Sequence, residues 1–152
     1  MKTKHLLSLL LILLFSACNK NEIEVYDNPF VHIMYEGASS VKVSSKANVL
    51  KEYNIYLSSK PLSQNLVVNY EVVVGDGLKE GIDFEMITQG NSLTFLPGIY
   101  EMPVRIKWLP NELDPLKDNS MVIRITDNNL GFTIGLPGPA NNQSELKITK
   151  TE

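Results

Sequence analysis

Apolar and polar residues alternate over most of this chain after residue 29. The longest run places apolar side chains at every second position: Leu66, Val68, Tyr70, Val72 and Val74. Residues 102–108 and 121–126 alternate in the same way. Successive side chains of a β-strand point to opposite faces of its sheet, so these runs predict strands. Shorter stretches predict further strands at residues 30–35, 41–44, 53–58, 92–96 and 144–149.

Turn-forming residues separate these runs. They are Gly75-Asp76-Gly77, Gly90-Asn91, Pro97-Gly98, Asp127-Asn128-Asn129 and Pro137-Gly138-Pro139. Glycine, proline and asparagine supply the backbone angles that reverse a chain. No segment has the pattern of an amphipathic helix, and residues 111–117 predict one helical turn at most. About eight strands, with one polar face, predict an all-β fold in which residues 30–152 form a single β-sandwich domain.

The first 17 residues follow a different pattern. Lys2 and Lys4 precede an apolar stretch over residues 6–15, and Ser16-Ala17 supplies small residues. This stretch is shorter than the roughly 20 residues that a membrane-spanning helix needs. The layout is typical of a secretory signal peptide, which we predict over residues 1–17.

Cys18, the only cysteine, directly follows this segment. Ser16-Ala17-Cys18 resembles the lipobox of bacterial lipoproteins, although Phe15 stands where leucine is commonest. The resemblance implies cleavage before Cys18, diacylation of its sulfur and acylation of the new amino terminus. The alternative is an ordinary signal peptide with a cysteine near the cleavage site by chance. The lack of a second cysteine to form a disulfide favours the lipoprotein, with residues 18–29 as lipidated cysteine and tether.

The residues after Cys18 bear on localisation. Lipoproteins retained in the inner membrane often have aspartate next to the cysteine, where this chain has Asn19. Surface-exported lipoproteins of Bacteroidetes often carry an acidic cluster in this region, and Glu22 and Glu24 form a short version of it. The resemblance therefore implies the outer membrane. Both its periplasmic side and the cell surface fit this sequence.

Composition narrows the classes of partner. Without residues 1–17 the chain keeps 135 of its 152 residues, and the loss of Lys2 and Lys4 changes the net charge from −3 to −5. A mildly acidic domain lacks the basic surface of a nucleic-acid-binding protein. With Cys18 acylated, the mature chain has neither a disulfide nor a free thiol, so its stability must come from packing.

Four motifs resemble the Calx-beta family: Asn69-Tyr70-Glu71, Gly81-Ile82-Asp83-Phe84, Leu93-Thr94-Phe95-Leu96-Pro97-Gly98 and Val104-Arg105-Ile106. In that family they form a strand, a turn, a hairpin and another strand. The resemblance implies an immunoglobulin-like Greek-key β-sandwich of about 7–9 strands. We expect Asp83 to accept hydrogen bonds from amides of its own turn.

Residues 111–117, 121–126 and 131–139 are similar to Bacteroidetes lipoprotein domains of unknown function. These domains are often encoded near Sus-type glycan-uptake machinery. The resemblance implies a non-catalytic accessory module for binding or assembly in glycan utilisation. The alternative is a structural or adhesive module that docks another envelope protein.

The sequence gives little support for a calcium site. Calcium-binding Calx-beta domains have paired aspartates where this chain has Leu109-Pro110. The nearest substitutes, Glu112, Asp114 and Asp118, are expected to be solvated loop acids, so we predict no metal site.

His32 is the one histidine after the signal, which excludes a conventional zinc cluster, and no Gly-x-Ser-x-Gly motif is present. Asp83 and Glu85 lie two apart and would share a face, as a glycosidase acid pair requires. The family motif explains both structurally. We therefore expect neither an enzyme nor a cofactor.

Three aromatic residues are candidates for stacking on sugar rings. Trp108 is the largest, but its alternation with Met102, Val104 and Ile106 favours a position in the core. Tyr56 is predicted to point outward, and Tyr100 lies beside the Pro97-Gly98 turn.

Arg105, Lys107 and Arg124 are predicted to lie on one outward sheet face, which Glu71 could join. Such a face either is solvated, with ion pairs between strands, or docks another envelope protein.

The lipid anchor is directly testable. A Cys18→Ser variant is expected to lose incorporation of radiolabelled fatty acid and to leave the detergent phase, because serine has no sulfur to form the thioether. Incorporation or membrane partitioning equal to that of the unaltered chain would contradict acylation at Cys18.

Overall fold

The computed structural model of the chain describes residues 27–152. The predicted signal peptide, Cys18 and most of the predicted tether lie outside the described residues. Within residues 27–152, no helix could span a bilayer.

The described residues form ten strands. They are β1 (Phe30–Met34), β2 (Ser40–Ser44), β3 (Val49–Ser58), β4 (Leu66–Val74), β5 (Phe84–Met86), β6 (Ser92–Phe95), β7 (Glu101–Trp108), β8 (Ser120–Asn128), β9 (Thr133–Ile134) and β10 (Glu145–Thr151). The all-β prediction is confirmed, and each predicted strand has a counterpart. Two strands that the sequence did not predict, β5 and β9, are too short to show alternation.

The strands form two five-stranded sheets that pack together as a β-sandwich. The first sheet has the order β5-β7-β3-β1-β9 and the second the order β2-β10-β8-β4-β6. Most neighbouring strands are antiparallel, whereas β9 is parallel to β1 and β2 is parallel to β10. Successive strands repeatedly change sheets, so contacts between residues far apart in sequence hold the domain together.

The core lies between the two sheets, where the alternating apolar side chains meet. In β8, Met121, Ile123 and Ile125 are buried while Arg124 is exposed, as the pattern predicted. The prediction is less accurate in β4, whose register against β8 shifts after Asn69. Val74, at the end of that strand, is exposed rather than buried.

The two ends of the sandwich are distinct. At one end β1 begins at Phe30 opposite Ser58, the last residue of β3, and loops 59–65, 96–100 and 129–132 lie at this same end. We call it the tether end because Asp27, the first described residue, is there. At the opposite end, the distal end, loops 75–83 and 109–119 are joined by backbone hydrogen bonds such as Gly77 N to Asp118 O.

A buried ion pair closes the distal end. Lys150 Nζ, at the end of β10, donates to Asp83 Oδ1 at 2.9 Å, to the carbonyl of Asp83 at 3.2 Å and to that of Leu109 at 2.8 Å. The Lys79 amide and Asn111 Nδ2 also donate to the Asp83 carboxylate. The expected bond between Asp83 and an amide of its own turn is therefore confirmed.

The Asp83 carboxylate stays charged despite its burial. Burial alone would raise the pKa of Asp83, but the hydrogen bonds from Lys150, Asn111 and the Lys79 amide outweigh it and hold the pKa below its usual value. Glu85, in contrast, is exposed. The two carboxylates do not share a face, and that expectation was wrong because Asp83 belongs to the turn before β5 rather than to an extended strand.

Replacing Lys150 with methionine is expected to lower the free energy of unfolding by about 3–5 kcal/mol, because it leaves the Asp83 carboxylate buried without its partner. Lys147 lies on the same strand but is exposed, so Lys147→Met should change the value by no more than about 0.5 kcal/mol. Urea unfolding of the two variants measures the difference. Equal small effects would show that the ion pair contributes little.

Because of the same ion pair, we expect the free energy of unfolding to depend on pH in the acidic range. Because the folded pKa of Asp83 lies below its unfolded value near 3.9, the pair stabilises the fold fully above about pH 4 and progressively less as pH falls through the folded pKa. Between about pH 4 and pH 2, unfolding free energy should fall more steeply for the wild type than for Asp83→Asn. Parallel pH profiles would contradict this role of Asp83.

Candidate functional site

Trp108 is fully buried between the sheets. Its Nε1 donates to the Tyr53 hydroxyl at 2.9 Å, and its ring lies tilted against Phe84 at 6.2 Å between centroids. The sequence prediction of a core position is confirmed. Trp108 has no exposed face on which a sugar could stack, which corrects its place among the candidate ligand-binding residues.

Tyr53 completes this buried contact. Burial raises the pKa of the Tyr53 hydroxyl, the hydrogen bond from Trp108 lowers it, and nearby Tyr35 raises it further, so that the hydroxyl stays neutral. The pair satisfies two polar groups inside an apolar core, which stabilises the core and fixes the rings.

Tyr56 lies on the outer face of the first sheet, as predicted. Directly opposite on β1 is His32, whose ring stacks on that of Tyr56 with 5.4 Å between centroids and 23° between planes. Phe30 lies next to His32 at 5.3 Å. All three side chains are partly exposed. We call Phe30, His32 and Tyr56 the aromatic row.

The aromatic row has polar neighbours on the same face. Tyr56 is opposite Glu101 of β7, and Asn54, two residues earlier on β3, is opposite Met34. A hollow of about 290 Å³ adjoins the row at Phe30, where Ser58 and Lys60 are among its lining residues. Rings, an amide and a carboxylate therefore lie together on one surface.

His32 contributes an imidazole to the row. Burial lowers its pKa, so the imidazole is neutral at pH 7. Its Nδ1 is shielded from solvent and has no hydrogen-bond partner among the described residues. The ring thus acts as an uncharged aromatic surface rather than as a cation.

Tyr100 is exposed, as expected, but lies in the turn between β6 and β7. Its carbonyl accepts a hydrogen bond from the Leu57 amide at 2.8 Å. No ring contact joins Tyr100 to the aromatic row within residues 27–152. Tyr56 and Tyr100 therefore do not form one platform.

The three basic candidates are divided between the two sheets. Arg105 and Lys107 lie on β7 of the first sheet, whereas Arg124 lies on β8 of the second. The prediction that they share a face was wrong, because alternation shows which side of a strand a residue occupies but not which sheet contains the strand. Arg105, Lys107 and Arg124 cannot act as one docking patch.

The two arginines also have carboxylate partners. Arg105 pairs with Glu52 at 2.7 Å, and Arg124 pairs with Glu145 at 2.8 Å and with Glu71 at 2.9 Å. Hydrogen bonds from Arg124 to Glu145 and then to Glu71 raise the pKa of the guanidinium. These exposed ion pairs match the solvated face that the sequence left open as an alternative to docking.

Acidic side chains of the distal loop 109–119 accept hydrogen bonds from residues two positions later in the chain. Asp118 Oδ1 accepts from the amide and hydroxyl of Ser120, and Asp114 Oδ1 accepts from the Leu116 amide. Residues 27–152 contain no group of three or more acidic, histidine or cysteine side chains placed to hold a metal ion. Glu112 is exposed on the same loop.

Sequence reasoning missed two features that depend on strand pairing. It placed His32 on one face of β1 but did not bring it opposite Tyr56, which requires the register of β1 on β3. It ended the last strand at residue 149 and so omitted Lys150. The available signal was that Lys150 follows Leu146 and Ile148 at two-residue spacing.

The role of Trp108 can be tested through its hydroxyl partner. Tyr53→Phe leaves the Trp108 N–H buried without an acceptor and is expected to cost about 1–3 kcal/mol of unfolding free energy. Tyr56→Phe, on the outer face of the same strand, is the matched control and should have little effect. Fluorescence of Trp108, the single tryptophan, reports unfolding in both variants. Similar stabilities would argue against the buried bond.

No protein-family model matches the chain, and no curated protein matches it. The similarity of its motifs to Calx-beta domains and to Bacteroidetes lipoprotein domains therefore stays a prediction from the sequence.

Proposed function

We propose that this chain is a lipid-anchored, non-catalytic protein of the outer membrane. In this proposal it serves as an accessory binding module of a glycan-acquisition system, and the aromatic row contacts the sugar. The lipobox-like Ser16-Ala17-Cys18 supports the anchor, and the motifs of residues 111–139 support the association with glycan uptake.

The observation that carries the binding proposal is the aromatic row itself. Sugar-binding surfaces combine aromatic faces, which pack against the apolar faces of the sugar ring, with amides and carboxylates, which bond its hydroxyls. Phe30, His32 and Tyr56 supply partly exposed rings within 5.4 Å of their neighbours. Asn54 and Glu101 supply the polar groups on the same face.

The charge state of the row favours a neutral ligand. The lowered pKa of His32 keeps its imidazole uncharged at pH 7. The nearby Arg105 is paired with Glu52 on the same sheet face. Neutral rings beside the carboxylate of Glu101 suit an uncharged sugar better than an anionic one, because the carboxylate repels an anion.

The non-catalytic part of the proposal rests on the acids considered for glycosidase chemistry. Asp83 is buried and bonded to Lys150, which stabilises its charged form and leaves it unsuited to exchange a proton with a substrate. Glu85 lies exposed on the neighbouring strand without that environment. The pair therefore lacks the facing geometry of two catalytic carboxylates.

A glycan array followed by affinity gels tests the binding proposal on the mature chain without its acyl groups. The domain is expected to bind at least one neutral glycan. Tyr56→Ala should weaken that binding about tenfold, because it removes one stacking face. Tyr100→Ala is the matched control, since Tyr100 is exposed but lies outside the aromatic row.

Equal loss in the two tyrosine variants would contradict the assignment to the aromatic row. Absence of binding to every glycan would contradict sugar recognition. It would favour the alternative of a structural module that docks another envelope protein, which crosslinking in cells followed by co-purification would identify.

A further inference from the structure

Three of the ten exposed large apolar residues within residues 27–152 lie in one turn. Leu96, Ile99 and Tyr100 lie within five residues of one another and are 56%, 41% and 39% exposed. The Ile99 amide donates to the Leu96 carbonyl at 2.9 Å, which closes the turn. Gly98 has a φ of +88°, a backbone conformation that is strained for a residue with a side chain. This backbone holds three large apolar side chains outward together.

The turn lies at the tether end. The Tyr100 carbonyl is bonded to the Leu57 amide, and the next residue of β3, Ser58, is opposite Phe30 at the start of β1. Neighbouring strands are about 4.8 Å apart, so the turn lies about 10 Å from the start of β1. Leu62, Leu130 and Phe132 are partly buried apolar residues in the other loops of this end.

The loops of the tether end carry few charges, although the exposed Glu101 directly follows the turn. Its three loops, 59–65, 96–100 and 129–132, contain one charged residue among sixteen, Lys60, which is paired with Asp27. The distal loops 75–83 and 109–119 contain eight charged residues among twenty. The distal loops also expose Ile82 and Leu116, so the two ends differ chiefly in their number of charged residues.

Chain length places the tether end near a membrane if Cys18 is acylated. Nine peptide bonds separate Cys18 from Asp27, and an extended chain spans at most about 3.6 Å per residue. The tether end therefore lies within about 32 Å of the point where the lipid enters the bilayer. The distal end lies about 30 Å from the tether end, the length of the ten-residue β3, so it could reach the bilayer only with a nearly extended tether.

We propose that the turn Leu96–Tyr100, which we call the apolar tip, lies against the lipid bilayer. Leu96 and Ile99 would enter the interface, and Tyr100 would place its ring at the level of the headgroups, where tyrosine is enriched. Three side chains bind a membrane weakly by themselves, so the tip orients a domain that the acyl chains hold. The inference rests on the anchor of the proposed function and leaves the ligand open.

The experiment replaces the acyl anchor so that it does not depend on acylation. The mature chain with Cys18→Ser and an amino-terminal hexahistidine tag is held on vesicles of phosphatidylethanolamine, phosphatidylglycerol and a nickel-chelating lipid. A single cysteine carries an environment-sensitive fluorophore, either at the tip in Ile99→Cys or at the distal end in Leu116→Cys. Leu116 is the matched control because it is 94% exposed on a distal loop.

The tip label is expected to shift its emission to the blue on vesicle binding and to lose most of its intensity when nitroxide-labelled lipids are included. The distal label should change in neither respect. Leu96→Cys, the most exposed position of the tip, is a second label site if Ile99→Cys folds poorly by circular dichroism. Labels at the tip and at Leu116 that respond equally, or a tip label that does not respond, would overturn the proposal.

Failure of the anchor has a different signature. It appears as unchanged membrane partitioning of Cys18→Ser in the untagged chain, whereas failure of the tip appears as absent quenching in chains that float with the vesicles. The two results are measured separately, so each proposal can fail without the other.

Discussion

Packing between the inner faces of two sheets is the interaction on which the rest of this structure depends. The chain has one cysteine, Cys18, so no disulfide within the chain can reinforce the fold. The core must therefore use its largest side chains, and Trp108, Tyr53, Tyr70 and Phe95 are all buried. Because Trp108, the only tryptophan, fills the core, it is absent from the surface. Among the aromatic residues outside the core, Phe30, His32 and Tyr56 contact one another and become the candidates for contact with a ligand.

Two buried polar contacts fix the arrangement of that core. Trp108 bonds to Tyr53 across the first sheet, and Lys150 at the end of the last strand bonds to Asp83 and to the carbonyl of Leu109. Each joins residues more than 40 positions apart in the chain. A buried lysine with both a carboxylate and carbonyl acceptors is satisfied in the native arrangement, whereas a shift of β10 would leave it without them. The contacts therefore favour one register of the sheets as well as adding stability.

Local patterns in the sequence were sufficient to predict the strands but not to predict how the strands pair and form sheets. Alternation identified the inward sides of β7 and β8, and it correctly placed Trp108 in the core and Tyr56 outside. It could not assign Arg105 and Arg124 to different sheets, because a two-residue period carries no information about which strands are neighbours. The row of Phe30, His32 and Tyr56 required the pairing of β1 with β3. Lys150 was omitted because a lysine at a position where the alternation calls for an apolar residue indicates the end of a strand. Only its buried partner, Asp83, explains why the strand continues through it.

The result is a sandwich whose surfaces differ in character. One sheet face carries neutral rings with an amide and a carboxylate, the opposite sheet carries the ion pairs of Arg124, and the two ends differ in charge. An anchored binding protein needs such a division, because the surface that meets its ligand must differ from the one that faces the membrane. In the two proposals, the outer face of the first sheet contacts the ligand and the apolar tip contacts the membrane.

Aromatic NMR signals of the domain, recorded while it is titrated with a mixture of neutral oligosaccharides, test the central claim most directly. The account predicts that the ring signals of Phe30, His32 and Tyr56 shift together while the indole N–H of Trp108 stays unchanged and protected from solvent exchange. A shift confined to Trp108, or ring signals of the aromatic row that stay fixed during saturable binding, would contradict it.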